Sequence, residues 1–350
     1  MDTLGQIRQK IAALGADALL VTQPANVRYL SGFSTPADAR VLITEAKALL
    51  LTDGRYTAQA KEESRLEVDI FMGDKIERAA ELAKPYKLAV EAENLTLEQF
   101  EDLSKKLTHK PIASTELVSS FRRIKTPEEL ELIRSAAQIT DEAFSHILNI
   151  IKAGMSEVAV ALELEGFMRR KGAERKAFDI TVASGYRSSM PHGTASQKII
   201  EQGELVTLDY GAVVQGYHSD MTRTIAIGEV SEKARAIYDA VLEAEETALL
   251  ALAPEKDGKA IDAVARDSLK THLLESYFSH SLGHGVGLEI HEGPGLSFRK
   301  SDMLKPNMAV TVEPGVYIPG EVGVRIEDLV FLTKTGYDVV SKSPKEFIQL

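Results

Sequence analysis

The sequence predicts an α/β N-terminal domain followed by an α+β domain with an internal pseudo-twofold repeat. Three observations carry this expectation: the length of the chain, one strongly marked helix start, and a strand motif that occurs twice. At 350 residues the chain exceeds what one hydrophobic core usually serves, so two domains are expected, each with its own core. The stretch Ser119 to Lys125 is basic and leads into Thr126, Pro127 and Glu129, which are an N-cap, a proline at the first helical position and the acid that closes a capping box. A new folding unit therefore begins near residue 120, giving domains 1–120 and 121–350. Within the second, VTLDYG at 206–211 returns as VTVEPG at 310–315.

In the first domain Leu4, Ile7, Ile11 and Leu14 fall at helical spacing, and the stretches Ala18 to Thr22 and Val41 to Thr52 look like buried strands. Leu88 to Val90 is a further strand, followed by a helix that Thr96 and Gln99 open with a capping box. Between the first two strand stretches, Ser31 to Arg40 is expected to be a polar loop containing Pro36, Asp38 and Arg40. In the second domain a long helix, a turn at Gly154, a second helix and a strand lead to His192-Gly193, then to the Asp209 strand and a return strand with Asp220. Helices after Ser231, a His-Gly step at His284-Gly285, the Glu313 strand and a return strand with Glu327 repeat that order, and this succession is what makes six matching residues a repeat.

The composition is that of an ordinary globular protein, 44% hydrophobic and 27% charged, with no low-complexity tract. Lys and Arg number 41 against 52 Asp and Glu, a net charge of -11 that repels polyphosphates and anionic membranes, so neither nucleic acid nor a membrane is an expected partner. The absence of cysteine excludes disulfides, thiolate metal sites and a cysteine nucleophile, leaving His, Asp and Glu as the available metal ligands. The segment Met1 to Lys10 carries Asp2 and no long apolar run, and no stretch approaches the length of a membrane span, so the expected location is the cytoplasm.

Strand periodicity places Thr207 and Asp209 on one face, Thr311 and Glu313 on the equivalent face of the repeat, and Arg325 with Glu327 on a further strand. Pro314 disfavours helix at Glu313 and keeps it extended. If the two halves face one another, Asp209, Asp220, Glu313 and Glu327 converge on strands, and four carboxylates so placed repel unless cations neutralise them. His280, His284 and His291 sit among glycines 283, 285 and 287, which argue against a helix and permit either close backbone approach or positive φ. Thr222 and Thr224 read first as β-branched strand material, with donation to the nearby acids as the alternative.

With the strings MPHG, LDYGA, SDMTRT, GHGVGLEIHE, EPGVY and GVRIED in order along the chain, the sequence resembles the pita-bread metallopeptidases, and within them the Xaa-Pro dipeptidases (prolidases) and aminopeptidases P. The resemblance spans the whole chain, including the smaller creatinase/prolidase-like N-terminal domain. It implies two divalent metal ions held by Asp209, Asp220, His284, Glu313 and Glu327, with Mn²⁺ the first choice for so oxygen-rich a set and Co²⁺ or Zn²⁺ as substitutes. It further implies Glu313 as proton shuttle, His192 on the active-site wall, His291 stabilising a tetrahedral intermediate and His280 shaping the substrate pocket, while Arg325, two residues before Glu327, points by strand alternation to the same side and reads as a cation that orients ligand carboxylates. The implied substrate is a small peptide with proline second. A homodimer is implied too, with the Ser31 to Arg40 loop of one subunit reaching the site of the other, Asp38 and Arg40 then binding substrate and Arg40 forking the C-terminal carboxylate.

A dipeptidase is favoured over an aminopeptidase P by the short chain and by Arg40. Readings of other classes are a creatinase-type amidinohydrolase, which would not need every acid, and a metal-free binding relative, which should have lost ligands. Methionine aminopeptidase is chemically close but is not expected to carry the N-terminal domain.

Overall fold

The computed structural model describes residues 2–350, and the chain divides into two compact units, Met1–Arg122 and Arg123–Leu350. The first is built on a six-stranded mixed sheet whose strands run, edge to edge, Glu67–Phe71, Ala48–Asp53, Arg40–Thr44, Ala18–Val21, Leu88–Glu91 and Ile112–Ser114. Its central strands are buried on both faces, which is why they read as apolar runs without alternation. Leu19, Val21, Val41 and Ile43 enter one core with Ile7 and Phe33, whereas Ala18, Leu20 and Leu42 enter another with Ala79 and Leu103.

Two expectations for this unit need correction. The stretch Val41 to Thr52 is a hairpin, because Glu45, Ala46 and Lys47 are exposed and the Thr44 amide donates to the Lys47 carbonyl at 2.8 Å. The Ser31 to Arg40 segment is not a plain loop between strands either. Ser31 ends a helix, Pro24–Ser31, with proline in its first turn and Gly32 at φ 79° closing it; Pro36–Asp38 is a short 3-10 turn and Arg40 opens a strand.

The second unit starts with the helix Pro127–Ile147, where Thr126 and Glu129 form both bonds of the expected capping box. This helix and Glu157–Arg170 cover the first half of the repeat, and Glu232–Ala251 with Gly258–Thr271 cover the second. In each half an antiparallel strand pair brings two acids together across a short intervening hairpin. The first pair is Glu204–Tyr210 with Met221–Ile227, Asp209 opposite Thr222; between them lies the hairpin of Ala212–Val214 and Tyr217–His218. The second is Ala309–Val312 with Asp328–Leu332, Val312 opposite Asp328, separated by the hairpin of Gly315–Ile318 and Val322–Arg325.

The halves are stitched at the acids themselves. The Glu327 amide donates to the Thr222 carbonyl at 3.1 Å, and the Thr224 hydroxyl donates to the Arg325 carbonyl at 2.9 Å. Of the four acids expected on strands, only Asp209 lies inside one. Asp220 precedes Met221–Ile227, Glu313 follows Ala309–Val312, and Glu327 sits in the step between Val322–Arg325 and Asp328–Leu332. At such ends the backbone leaves the ladder, freeing each carboxylate to turn toward a common centre.

Candidate active site

Asp209, Asp220, His284, Glu313 and Glu327 line one cavity of about 610 Å³ in the second unit, together with His192, His280, His291 and Arg325. Asp38 and Arg40 belong to the first unit. There Asp38 accepts from the Tyr56 hydroxyl at 2.7 Å and from Arg55 at 3.1 Å, and the Arg40 guanidinium donates to the carbonyls of Ala37 and Ala39.

His284 lies on the short strand Gly283–Gly285, and none of the three glycines around it has positive φ. They are needed for close approach: a Cβ on Gly283 would stand 2.0 Å from the Thr311 carbonyl oxygen, and one on Gly285 2.4 Å from that of Gly293. The His284 strand is thereby pressed against the Glu313 strand. Nδ1 of His284 lies 3.1 Å from the Gly285 carbonyl, to which it donates, leaving Nε2 facing Glu313 Oε1 at 3.3 Å and Asp220 Oδ2 at 3.6 Å. A ring fixed through Nδ1 with Nε2 turned to carboxylates is the arrangement of a metal-ligating histidine. Asp220, His284 and Glu327 each offer a ligand atom within 4.8 Å of the others.

The remaining acids are held by neighbours. Arg325 donates to Asp209 Oδ2 at 2.5 Å, to the Thr222 hydroxyl at 3.1 Å, to the Tyr317 hydroxyl at 2.7 Å and to the Pro191 carbonyl at 3.2 Å. Thr222 in turn donates to Glu327 Oε2 at 2.7 Å, so the donor role rather than mere strand formation describes it. Thr311 donates to Glu313 Oε1 at 3.1 Å. After all this, Asp209 Oδ1 and Glu327 Oε1 remain buried with no hydrogen-bond partner among the described residues. Buried carboxylate oxygens without partners are costly, and divalent cations are what this donor set fits.

The electrostatics agree. Burial, and then Glu327 and Asp209, push Asp220 well above the usual carboxylate range; burial, and then Glu313 and Asp209, do the same to Glu327. Burial also raises Asp209, against the opposing charge of Arg325. Glu313 goes the other way: burial opposes ionisation, but the hydrogen bond and charge of His284 hold it at about 2, and Glu313 raises His284 against its own burial. His280 is lowered chiefly by burial, and His291 by desolvation and then by the charge of His284, so both stay neutral to lower pH.

Sequence reasoning missed Tyr317. Its hydroxyl lies 2.9 Å from His280 Nε2, and since His280 Nδ1 faces the Ser281 carbonyl at 2.9 Å, Nε2 is the accepting nitrogen and Tyr317 its donor. A chain of contacts thus runs from Asp209 through Arg325 and Tyr317 to His280. The alternation Glu313, Gly315, Tyr317 was the available signal. Phe178, Ile290 and Arg299 also line the cavity; Ile290 falls within GHGVGLEIHE, whereas Phe178 and Arg299 had no motif to mark them.

Comparison with known proteins places this geometry in context. The pattern of metallopeptidase family M24 matches residues 131–334, and that of the creatinase/prolidase N-terminal domain matches residues 4–124. The Xaa-Pro dipeptidase of Pyrococcus horikoshii is 41% identical over 95% of this chain and 94% of its own length. Among solved structures, an Xaa-Pro dipeptidase from Bacillus anthracis superposes with a TM-score of 0.96 at 44% identity, covering 100% of this chain and 99% of that one. An X-Pro aminopeptidase from Thermotoga maritima MSB8 superposes at 0.89 with 39% identity, covering 98% of this chain and 100% of its own.

Proposed function

The chain belongs to metallopeptidase family M24, with a creatinase/prolidase N-terminal domain, and from that premise we propose that it is an Xaa-Pro dipeptidase. The observation that carries the proposal is the set of four carboxylates around His284, Asp220 and Glu327 buried and Asp209 and Glu313 half-buried, with Asp209 Oδ1 and Glu327 Oε1 left unpartnered among the described residues, in a cavity also lined by His192, His280 and His291. Members of this family are metal-dependent, and Asp209, Asp220, His284, Glu313 and Glu327 are the residues that would hold two divalent ions. Hard oxygen donors with a single imidazole favour Mn²⁺, with Co²⁺ or Zn²⁺ as replacements in vitro. When bound, the ions supply Lewis-acid activation of water and of the scissile carbonyl.

The residues around them do the rest. Glu313 takes a proton from the attacking water and delivers it to the imide nitrogen as the C–N bond breaks, so the proline leaves as a neutral amine. His291 donates to the carbonyl oxygen as negative charge develops there, and neutral imidazole suits that task. His192 holds the substrate from the cavity wall, and His280, fixed by Tyr317, shapes the pocket. Arg325 keeps the Asp209 carboxylate in place. A proline nitrogen carries no hydrogen, so a pocket that demands no donor there and includes the apolar side chains of Phe178 and Ile290 suits an Xaa-Pro bond.

We infer further that the protein works in the cytoplasm as a homodimer, in which Asp38 and Arg40 of one subunit complete the substrate site of the other and Arg40 forks the dipeptide carboxylate. Among the described residues no helix is long and apolar enough to cross a membrane. Sedimentation at micromolar concentration tests the dimer. The likeness to an X-Pro aminopeptidase supports a second reading, in which longer Xaa-Pro-Xaa peptides are cleaved.

One assay separates these. With Mn²⁺ added, Ala-Pro should be hydrolysed faster than Ala-Pro-Xaa, and metal content on the same sample should be about two equivalents per chain. Preference for the tripeptide would favour the aminopeptidase. Turnover after complete chelation, or in Asp209→Ala or Glu313→Ala, would sink the two-ion mechanism, and a metal-free inactive protein would point to a binding role.

A further inference from the structure

The basic run before Thr126 has no part in the chemistry above, yet it reaches the loop that carries His291. Lys125 lies in the second unit with its side chain only 1% exposed, and its Nζ donates to Glu292 Oε1 at 2.8 Å; Glu292, the residue after His291, has a side chain 6% exposed. The lysine is itself anchored, since its amide donates to the Asn307 carbonyl at 2.8 Å. The Glu292 carboxylate lies flat on the backbone of Gly287, where a Cβ would stand 2.5 Å from Oε1. That contact closes the segment 287–292 on itself, helped by the Gly287 amide donating to the Glu289 carbonyl at 3.0 Å. Arg123 grips the next residue, its Nε lying 2.6 Å from where a Cβ of Gly293 would be, while its Nη1 reaches Asp302 at 3.2 Å.

His291 itself is exposed at the cavity wall, with its ring edge-on to His284 at a centroid distance of 4.3 Å. An exposed ring is not fixed by packing on all sides. Its place must come from the backbone that carries it, and the nearest firm anchor is the buried charge pair one residue on.

We propose that Lys125 is a positioning residue for His291, acting through Glu292 to fix the loop 287–292 in the geometry the reaction needs. The proposal rests on the reading of His291 as a group that touches the substrate. Displacement of such a group by about 1 Å can cost about 100-fold in rate, and a buried carboxylate that has lost its cation has reason to move.

Three variants of the full-length, Mn²⁺-loaded protein test this. Lys125→Met should lower kcat for Ala-Pro by about 10- to 100-fold with a much smaller change in KM and undiminished metal content, because the five ligands lie elsewhere. Lys125→Met/Glu292→Gln removes both charges, which buried pairs tolerate far better than the loss of one; it should fold with a near-normal Tm and still show the kcat defect. The deciding measurement is Lys125→Met in a His291→Ala background. If the lysine acts through His291, the second substitution adds little to the first, whereas a general structural role gives losses that multiply. Full multiplication, or a doubly neutral variant with unchanged kcat, overturns the proposal. A His291→Ala variant of unchanged activity would instead overturn the assignment of His291 on which it rests.

Discussion

Arg325 and Asp209 are joined through one oxygen: Nη2 donates to Oδ2 at 2.5 Å, while Oδ1 is buried and, among the described residues, accepts from none. The guanidinium so fixes the orientation of the carboxylate without consuming its second oxygen. Four partners on one planar group cannot all be kept by an ammonium. Arg325→Lys is therefore expected to fold and to lose about 10- to 100-fold in activity, the range seen when groups that orient metal ligands are changed. Steady-state kinetics alongside metal analysis check this, and activity within threefold of the parent would show that Asp209 needs no such support.

Metal removal should reveal the repulsion among the acids as a pH effect. In protein stripped of metal, Asp209, Asp220 and Glu327 hold their protons to higher pH than in the unfolded chain, because burial and the charge of neighbouring carboxylates, Glu313 among them, raise them. The folded state then binds the extra protons, so stability declines as pH rises above about 4. His284 contributes in the same sense, its raised value giving stability that is lost as pH climbs through it. Glu313, held at about 2, acts only below that window, its contribution being lost as pH falls toward that value. The Tm of chelated protein should thus fall as pH rises above the ordinary carboxylate range while that of the Mn²⁺-loaded protein does not, and metal affinity should rise with pH as ligand protons leave. Parallel Tm profiles for the two forms would contradict the account.

The substrate carboxylate has two candidate readers. Arg40 has Nη1 on the carbonyls of Ala37 and Ala39 and a buried Nε with no partner among the described residues. Arg299 is exposed and lines the cavity, whose other arginine, Arg325, is committed to Asp209 and Tyr317. If Arg40 forks the carboxylate, Arg40→Ala should raise KM for Ala-Pro by about 10-fold or more, the worth of a charge-assisted bond, and leave Ala-Pro amide unaffected. The same selective loss in Arg299→Ala, with Arg40→Ala silent, would move the reader into the second unit.

The convergence of the four acids was legible because VTLDYG and VTVEPG mark equivalent points of a repeat, whereas the five-residue ligand set with His284 was legible only through the family resemblance that strings such as GHGVGLEIHE and GVRIED carry. Capping boxes at Thr96 and Thr126 were legible because each is a local pairing three residues apart. Helix Pro24–Ser31 was not. Its buried face includes Asn26, which donates to Glu91 at 2.6 Å, and Ser31, which donates to the Val27 carbonyl at 2.6 Å, and polar residues on the inward face erase the apolar period on which helix assignment depends. The pairing of Lys125 with Glu292 was equally hidden, since 167 residues separate the partners.

Tyr317 offers the sharpest test of the site's internal order. Its hydroxyl accepts from Arg325 Nη1 at 2.7 Å and donates to His280 Nε2 at 2.9 Å. Tyr317→Phe keeps the ring and its packing but leaves the half-buried His280 Nε2 without its donor and Arg325 Nη1 with only the Pro191 carbonyl, at a cost of about 1–3 kcal/mol. His280 would then be free to turn, and the Arg325 fork would lose one of the bonds that aims it at Asp209. The expected result is a modest fall in Tm together with a drop of about 10-fold in kcat/KM for Ala-Pro, metal content being unchanged. A lower Tm with kcat/KM within twofold would mean that the hydroxyl serves only the stability of the fold, and that His280 and Asp209 reach their working positions independently of each other.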